Sequence, residues 1–259
     1  MKKGKKLYEG KAKIIFASAE KNLVIQHFKD DVTAFNNQKR TIIEGKGILN
    51  NRISEHILSF LKEIGINNHL IKRLNMREQL IELVDIIPIE FVIRNIATGS
   101  LTKRLDIEDG TVLNSPLIEY YLKNDELGDP IISREHIVNF GWLKKLELES
   151  INEQCLRIND LLQGMFRGIG IKLVDFKIEF GKRKSAGEVI LADEISPDTC
   201  RLWDEDTDKK LDKDRFRKDL GNIVEAYQEV ARRLGILHEQ SNIRPIKFSK
   251  PTAVKIKKK

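Results

Sequence analysis

The spacing of hydrophobic positions changes several times along the chain. Ile48, Leu49, Ile53, Ile57, Leu61 and Ile64 recur at intervals of three and four, which predicts a helix over 48–64 ended by Gly65. Ile151, Cys155, Ile158, Leu162 and Met165 form a second such stripe and predict a helix over 149–167. A third helical pattern covers 213–234, with Asp212 placed to cap its start and Gly235 to stop it. Other apolar runs are short and strand-like: 7–16, 23–28, the Ile- and Val-rich stretch 80–93 around Pro88, and 172–181 with 188–195. The last two are joined by the polar loop Lys182-Arg183-Lys184-Ser185-Ala186-Gly187, a hairpin signal. Helices and strands are thus mixed along the chain. The order suggests a small β-rich part with one helix over 1–85, a larger α/β part over 86–240, and a tail over 241–259.

Composition narrows the class. With 259 residues, 41% apolar and 33% charged, the chain can bury a globular core. No stretch approaches the ~20 apolar residues of a membrane helix, and the basic N-terminus lacks the apolar run of a secretory signal. Cys155 and Cys200 fit no CxxC spacing and read as free thiols of a reducing, cytoplasmic compartment. The five histidines are scattered, without a zinc-type spacing. The net charge of +7 resides in the tail, where 241–259 carry Arg244, Lys247, Lys250, Lys255, Lys257, Lys258 and Lys259 and no acid. Residues 1–240 therefore balance to zero, which argues against a nucleic-acid-binding core; the tail reads as a solvated end.

Four patterns carry candidate chemistry. In Val174-Asp175-Phe176-Lys177-Ile178-Glu179-Phe180-Gly181, strict alternation places Asp175, Lys177 and Glu179 on one strand face. A solvent-exposed face would give the same alternation. The next run, Val189-Ile190-Leu191-Ala192-Asp193-Glu194-Ile195, ends in two acids. If the hairpin sets Asp193 opposite Lys177, Glu179 lies diagonally adjacent, and two carboxylates beside a lysine suit a magnesium–nucleotide site. In Ile87-Pro88-Ile89-Glu90-Phe91-Val92-Ile93-Arg94-Asn95-Ile96-Ala97-Thr98-Gly99-Ser100, a strand ends in an arginine and small residues open a short helix. That reads equally as an anion cradle or as a capped helix with a surface arginine. Tyr8-Glu9-Gly10-Lys11-Ala12-Lys13 is a glycine turn with two lysines: a cover for nucleotide phosphates or a surface hairpin, lacking P-loop spacing. Gly45-Lys46-Gly47 also fails that spacing and reads as a helix entry. Finally, Ser196-Pro197-Asp198-Thr199-Cys200-Arg201-Leu202-Trp203-Asp204 is a turn able to aim Asp198 and Arg201 back at the hairpin.

Together these patterns resemble the phosphoribosylaminoimidazole-succinocarboxamide synthase (SAICAR synthetase) family, from about Leu7 to Leu237. Residues 88–100 and 174–181 look like its two signature stretches, and 121–125, 129–130, 193–204 and 212–217 match as well. The resemblance implies an α+β fold: a small antiparallel ATP-binding subdomain over 1–85 packed on a larger α/β subdomain that binds magnesium and substrates. It implies that ATP, carboxyaminoimidazole ribotide (CAIR) and L-aspartate give the succinocarboxamide ribotide, ADP and phosphate, with no nucleic acid or membrane as partner. Homo-oligomers, often dimers, are implied too. It places Lys11, Lys13 and Lys123 by the nucleotide phosphates and the backbone around Val84 and Ile86 at adenine. Glu179 and Asp193 would hold Mg2+, with Lys177 against the phosphates. Arg94, Ser100 and Arg201 would take the ribotide phosphate. Glu90, Asp129 and Asp175 would serve the rest of the ribotide, and Asp198 and Arg215 would align substrates beside Lys177. Asn36 departs from relatives with an acid there, and the tail extends the compact pattern. A kinase-like phosphotransferase would use the same carboxylates and lysines, and an RNA-binding protein would use the tail.

Overall fold

A computed structural model describes residues 2–34, 39–184 and 187–237 of the chain. Asn36, Ser185, Ala186 and the basic tail lie outside them. The first strands follow the short apolar runs. β1 (Lys6–Glu9), β2 (Lys13–Ala17) and β3 (Leu23–Phe28) form an antiparallel meander, with the glycine turn between β1 and β2. β4 (Asp31–Ala34) and β5 (Lys39–Ile42) pair as a separate ribbon. Gly45, at φ 86°, turns the chain into helix α1 (Lys46–Glu63). β6 (Leu70–Arg73) and β7 (Glu78–Glu82) complete a sheet of order β1-β2-β3-β7-β6. The apolar stripe of α1 contributes Leu49, Ile53, Ile57, Leu58 and Leu61 to the core against this sheet.

At Leu83 the chain leaves the first sheet for a second. Here follow β8 (Val84–Ile96), α2 (Ser100–Leu105), β9 (Val112–Leu122), β10 (Ile131–Ile132), α3 (Arg134–Asn139) and α4 (Lys145–Arg167). β11 (Ile171–Arg183), β12 (Val189–Ala192) and β13 (Cys200–Asp204) complete it. The order is β10-β9-β8-β11-β12, with β13 also on β11, and all pairs are antiparallel. β9 has no counterpart in the predicted elements because Asn114, Ser115 and Pro116 interrupt its apolar pattern. β12 pairs with Glu179–Lys182 and β13 with Ile171–Phe176, so two strands share the edge of β11 that faces away from β8. The chain from Asp193 to Thr199 leaves and rejoins the sheet between them.

Two expectations need correction. β11 and β12 pair Glu179 with Ala192 and Phe180 with Leu191, one residue away from the register that would set Asp193 opposite Lys177. The helix expected over 213–234 is two helices, α5 (Asp214–Arg217) and α6 (Ile223–Arg233). Asp219, Gly221 and Asn222 between them take φ of 54°, 64° and 50°, a left-handed run that ends one helix and restarts another. Asp212 accepts the Asp214 N–H at 2.7 Å, one residue before the capping position of α5.

One apolar core spans both sheets. Val174, Phe176, Ile178 and Phe180 of β11 are fully buried, as are Ile151, Cys155, Ile158, Leu162 and Phe166 of α4. Phe91 meets Phe180 and Tyr120 edge to face, with centroids 5.3 and 5.6 Å apart. α6 packs on α1, and the same cluster runs through α1, α4, α6 and strands of both sheets. The sheets also touch through backbone: His69 N–H donates to Leu191 O and Leu191 N–H to Asn67 O, each at 3.0 Å. Among the described residues no helix is long and apolar enough to cross a membrane. Leu162→Ala should cost about 2–5 kcal/mol in urea unfolding, the usual range for truncating a buried leucine. A loss under about 1 kcal/mol would show that α4 is not a principal wall of the core.

Candidate active site

β8 and β11 pair Glu90 with Glu179, Val92 with Lys177 and Arg94 with Asp175. One sheet face therefore carries Glu90, Val92 and Arg94 beside Asp175, Lys177 and Glu179. It is not a solvent-exposed face, for Arg94, Asp175 and Glu179 are 3%, 4% and 5% exposed. Two carboxylates directly opposite each other repel. The Lys177 ammonium lies between them, 2.7 Å from Glu179 and 3.1 Å from Glu90, and 3.3 Å from Asp193. Burial alone would lower the Lys177 pKa, but Glu179, Asp193 and Glu90 outweigh it and hold the ammonium well above its usual range.

Asp193 leaves β12 with φ 62°. In a regular strand consecutive side chains point to opposite faces. The left-handed residue lets Asp193 and Glu194 both meet Lys13, Asp193 as a close ion pair and Glu194 at 3.1 Å. For Lys13, too, burial lowers the pKa while Asp193 and Glu194 raise it further, so it stays protonated. Lys123 pairs with Glu179 from the far side. This side of the cleft therefore carries three lysines facing the carboxylates of Glu90, Glu179, Asp193 and Glu194.

The other side of Lys177 is an arginine pocket. Arg94 donates from Nε to Glu119 and from Nη1 to Asp175, both at 2.7 Å, and from Nη2 to Ser100 at 3.2 Å. Arg201 donates to the same Asp175 oxygen at 2.7 Å and to Asp214 at 2.9 Å. Asp175 thus holds two guanidinium groups together. Gly99, at φ 65°, leaves room for this: a Cβ there would come within 2.7 Å of an Arg201 nitrogen.

Asp198 completes the wall. Its carboxylate accepts from Lys46 at 2.5 Å, Asn50 at 2.8 Å and Tyr227 at 2.6 Å, donors that are all buried. Burial would raise the Asp198 carboxyl, but Lys46 and Lys213 outweigh it and keep it well below the ordinary range. The turn is anchored to the strand because Lys177 N–H donates to Thr199 O at 2.8 Å.

Seven predicted residues, Glu90, Arg94, Ser100, Asp175, Lys177, Asp198 and Arg201, line one cavity of 230 Å³. Lys13, Lys123, Glu179 and Asp193 meet at its Lys177 end. Lys11 lies further out, paired with the exposed Asp125 at 2.7 Å. Val84 and Ile86 begin β8, opposite Arg183 and Gly181, and do not line the cavity. Nor does Asp129, whose carboxylate accepts the Asn124 N–H at 3.0 Å and braces that loop. Arg215 donates to the carbonyls of Lys210, Leu220 and Gly221 at 3.1, 2.9 and 2.6 Å, which holds the turn after α5; it is Arg217 that lines the cavity. No role is expected from sequence for Lys46, Glu119, Tyr121, Arg217 or Tyr227, although Tyr121 and Arg217 lie in the matching runs 121–125 and 212–217 and Lys46 lies between two glycines.

The SAICAR synthetase family profile matches residues 6–234. A phosphoribosylaminoimidazole-succinocarboxamide synthase of Pelagibacter ubique is 70% identical over 260 residues, covering 100% of each chain. The crystal structure of the Ehrlichia chaffeensis synthase superposes with a TM-score of 0.89 at 56% identity, covering 90% of this chain and 100% of that one. A SAICAR synthetase solved in complex with ADP gives 0.85 at 44%, covering 88% and 96%. The fold is thus that of a ligase of purine biosynthesis. The chain belongs to the SAICAR synthetase family.

Beneath the arginine pocket, Asp212 is fully buried next to Asp214. Burial, then repulsion from Asp214, pushes the Asp212 carboxyl up from 3.8 to about 7. The folded protein then binds a proton that the unfolded chain releases, so this group favours folding at acid pH and loses that contribution as pH rises from about 4 to 7. Asp212→Asn should flatten this part of the stability-versus-pH curve. Parallel curves for variant and parent across that window would rule the raised carboxyl out. Asp175→Asn should cost about 3–5 kcal/mol in the same unfolding assay, because it leaves the buried Arg94 and the partly buried Arg201 facing each other without their shared carboxylate.

Proposed function

We propose that the chain joins L-aspartate to the carboxylate of CAIR at the expense of ATP, giving the succinocarboxamide ribotide, ADP and phosphate. The observation that carries this reading is the position of Lys177. It joins a carboxylate–lysine cluster on one side to a two-arginine anion pocket on the other, along one strand. A phosphoryl group and a phosphorylated substrate can therefore be held within one side chain's reach of each other. The relative solved with ADP supports nucleotide use.

Residues 1–85 take ATP, with Lys11, Lys13 and Lys123 toward the phosphates and the backbone at Val84 and Ile86 toward adenine. Arg94, Ser100 and Arg201 take the ribotide phosphate, Asp175 holds the arginines, and Glu90 and Asp129 act nearer the rest of the ribotide. Asp198, Lys177 and Arg215 align the reacting groups, Arg215 through the turn it braces. Glu179 and Asp193 would hold Mg2+. Their all-oxygen donors suit a hard cation, and among the described residues no group of three or more His, Cys, Asp or Glu would cage an ion alone. Magnesium fits that count, since it takes one or two carboxylates and completes its shell with phosphate oxygens and water. When bound it would offset charge on the transferring phosphoryl group.

The imidazole carboxylate oxygen attacks the γ-phosphorus as the bond to ADP breaks, giving an acyl phosphate. The aspartate nitrogen then attacks the carbonyl, loses a proton, and phosphate leaves with the bonding pair. Oxide is a poor leaving group, so phosphorylation makes the carbonyl reactive. Side chains need not act as nucleophiles. Cys200 lines the cavity, but burial pushes its thiol well up, which keeps it protonated. Alignment of three substrates can lower the barrier by roughly 7–11 kcal/mol. The buried free cysteines fit a cytoplasmic setting, and exposed Phe140 and Leu146 offer apolar surface for a second copy.

ADP release should require Mg–ATP, CAIR and L-aspartate together, with one succinocarboxamide formed per ADP. Release without aspartate would indicate a phosphotransferase instead. Glu179→Gln and Asp193→Asn should each lower ATP turnover by about a hundredfold, the scale of losing one preorganised electrostatic contact. Near-parental turnover in both would remove these carboxylates from the nucleotide site.

A further inference from the structure

The nucleotide and ribotide sides of the cleft are joined by a second route, separate from Lys177, through two residues that the reaction scheme does not use. Glu194 and Ser196 are 2% and 1% exposed. Buried polar side chains at this depth need partners, and theirs form a line. Glu194 Oε1 lies 3.1 Å from the Lys13 ammonium. Glu194 Oε2 accepts the Ser196 hydroxyl at 2.9 Å. Ser196 Oγ in turn accepts the Asp198 N–H at 3.1 Å. Beyond that amide, the Asp198 carboxylate lines the cavity and is fixed by Lys46, Asn50 and Tyr227 from α1 and α6.

The two ends of this line differ in kind. At the Asp198 end every partner is buried, so the turn has one position. At the other end Lys13 is shared between Asp193 and Glu194. A phosphate arriving at Lys13 competes with both carboxylates. Asp193 has an alternative cation in Lys177, 3.3 Å away. Among the described residues Lys13 is the cation in ion-pair contact with Glu194, whose other side-chain contact is the Ser196 hydroxyl; the Lys213 charge acts on it without such a contact. Drawing Lys13 toward a phosphate therefore changes what Glu194 asks of Ser196, and Ser196 holds the backbone of Asp198.

We propose that Glu194 and Ser196 are positioning residues that align Asp198 with Lys13, so that filling the nucleotide side tightens the ribotide side. The proposal rests on the function proposed above. It calls for titration calorimetry on the full chain, with CAIR binding measured in the absence and presence of saturating Mg–ADP. The parent should bind CAIR about tenfold more tightly with Mg–ADP, within the usual span of coupling between sites. Ser196→Ala should bring that ratio close to one, Glu194→Gln should do the same, and Ser196→Thr, which keeps the hydroxyl, should restore it. A purely structural loss would weaken both ligands and leave the ratio at its parental value. Equal CAIR affinity with and without Mg–ADP in the parent, or an unchanged ratio in both Ser196→Ala and Glu194→Gln, would overturn the positioning role while the proposed reaction stands. A parent that binds neither ligand would overturn the reaction and this role together.

Discussion

The Lys177 ammonium draws three carboxylates to one strand face, and the cleft is arranged around that contact. Without it Glu90 and Glu179 would confront each other across a strand pair with no charge shared between them, since Lys123 pairs with Glu179 alone. The position is available because β11 shares one edge between β12 and β13. Where neither strand pairs, at Lys177, the ladder hydrogen bond goes instead to Thr199 of the returning turn. That one bond sets the acidic end of β12 and the Asp198 turn on either side of the same lysine. The buried face of the strand, packed on α4, keeps Lys177 at a fixed height above the core.

The cleft is pre-assembled with its charges already paired. Lys13, Lys123 and Lys177 each have a carboxylate partner, and Arg94 and Arg201 each have two. An incoming phosphate therefore exchanges one anionic partner for another, and a cation near Glu179 and Asp193 would take up the carboxylates so released. Such exchange avoids ever leaving a charge unpaired in a poorly solvated place, which is the costly event in a buried ionic network. Asp175 has a different duty. It keeps two guanidinium groups close enough to share one ligand, and Gly99 supplies the space that closeness requires.

What the sequence disclosed depended on whether the signal was local. The alternation in 174–181 reports a property of one strand, and it located Asp175, Lys177 and Glu179 on one face. The helical stripes of α1 and α4 were equally plain. The pairing of β11 with β12 and β13 is not local, and there the reading placed Asp193 one residue off. It still reached the right lysine, because the left-handed turn at Asp193 compensates for the register. Lys46 and Tyr227 could not be found by pattern: they stand 152 and 29 residues from Asp198 and meet it only through packing of α1 on α6. Arg215 and Arg217 show the limit at short range. Both lie in one brief helix, and only tertiary contacts decide which of them turns to the cavity and which to the loop carbonyls. The break between α5 and α6 rests on Asp219, Gly221 and Asn222, residue types that admit left-handed backbone, a local signal that the helical spacing over 213–234 concealed.

The divided edge of β11 also converts chain length into chemistry. Residues 193–199 span a set distance between two strands that pair with the same partner. One residue more or less in that span would slide β13 by one position along β11, and side chains in a strand alternate faces. Arg201 would then turn toward the core, and Leu202, now fully buried, would enter the anion pocket. A surface loop absorbs such changes in length. This one is a spacer whose count is as constrained as any side chain it carries.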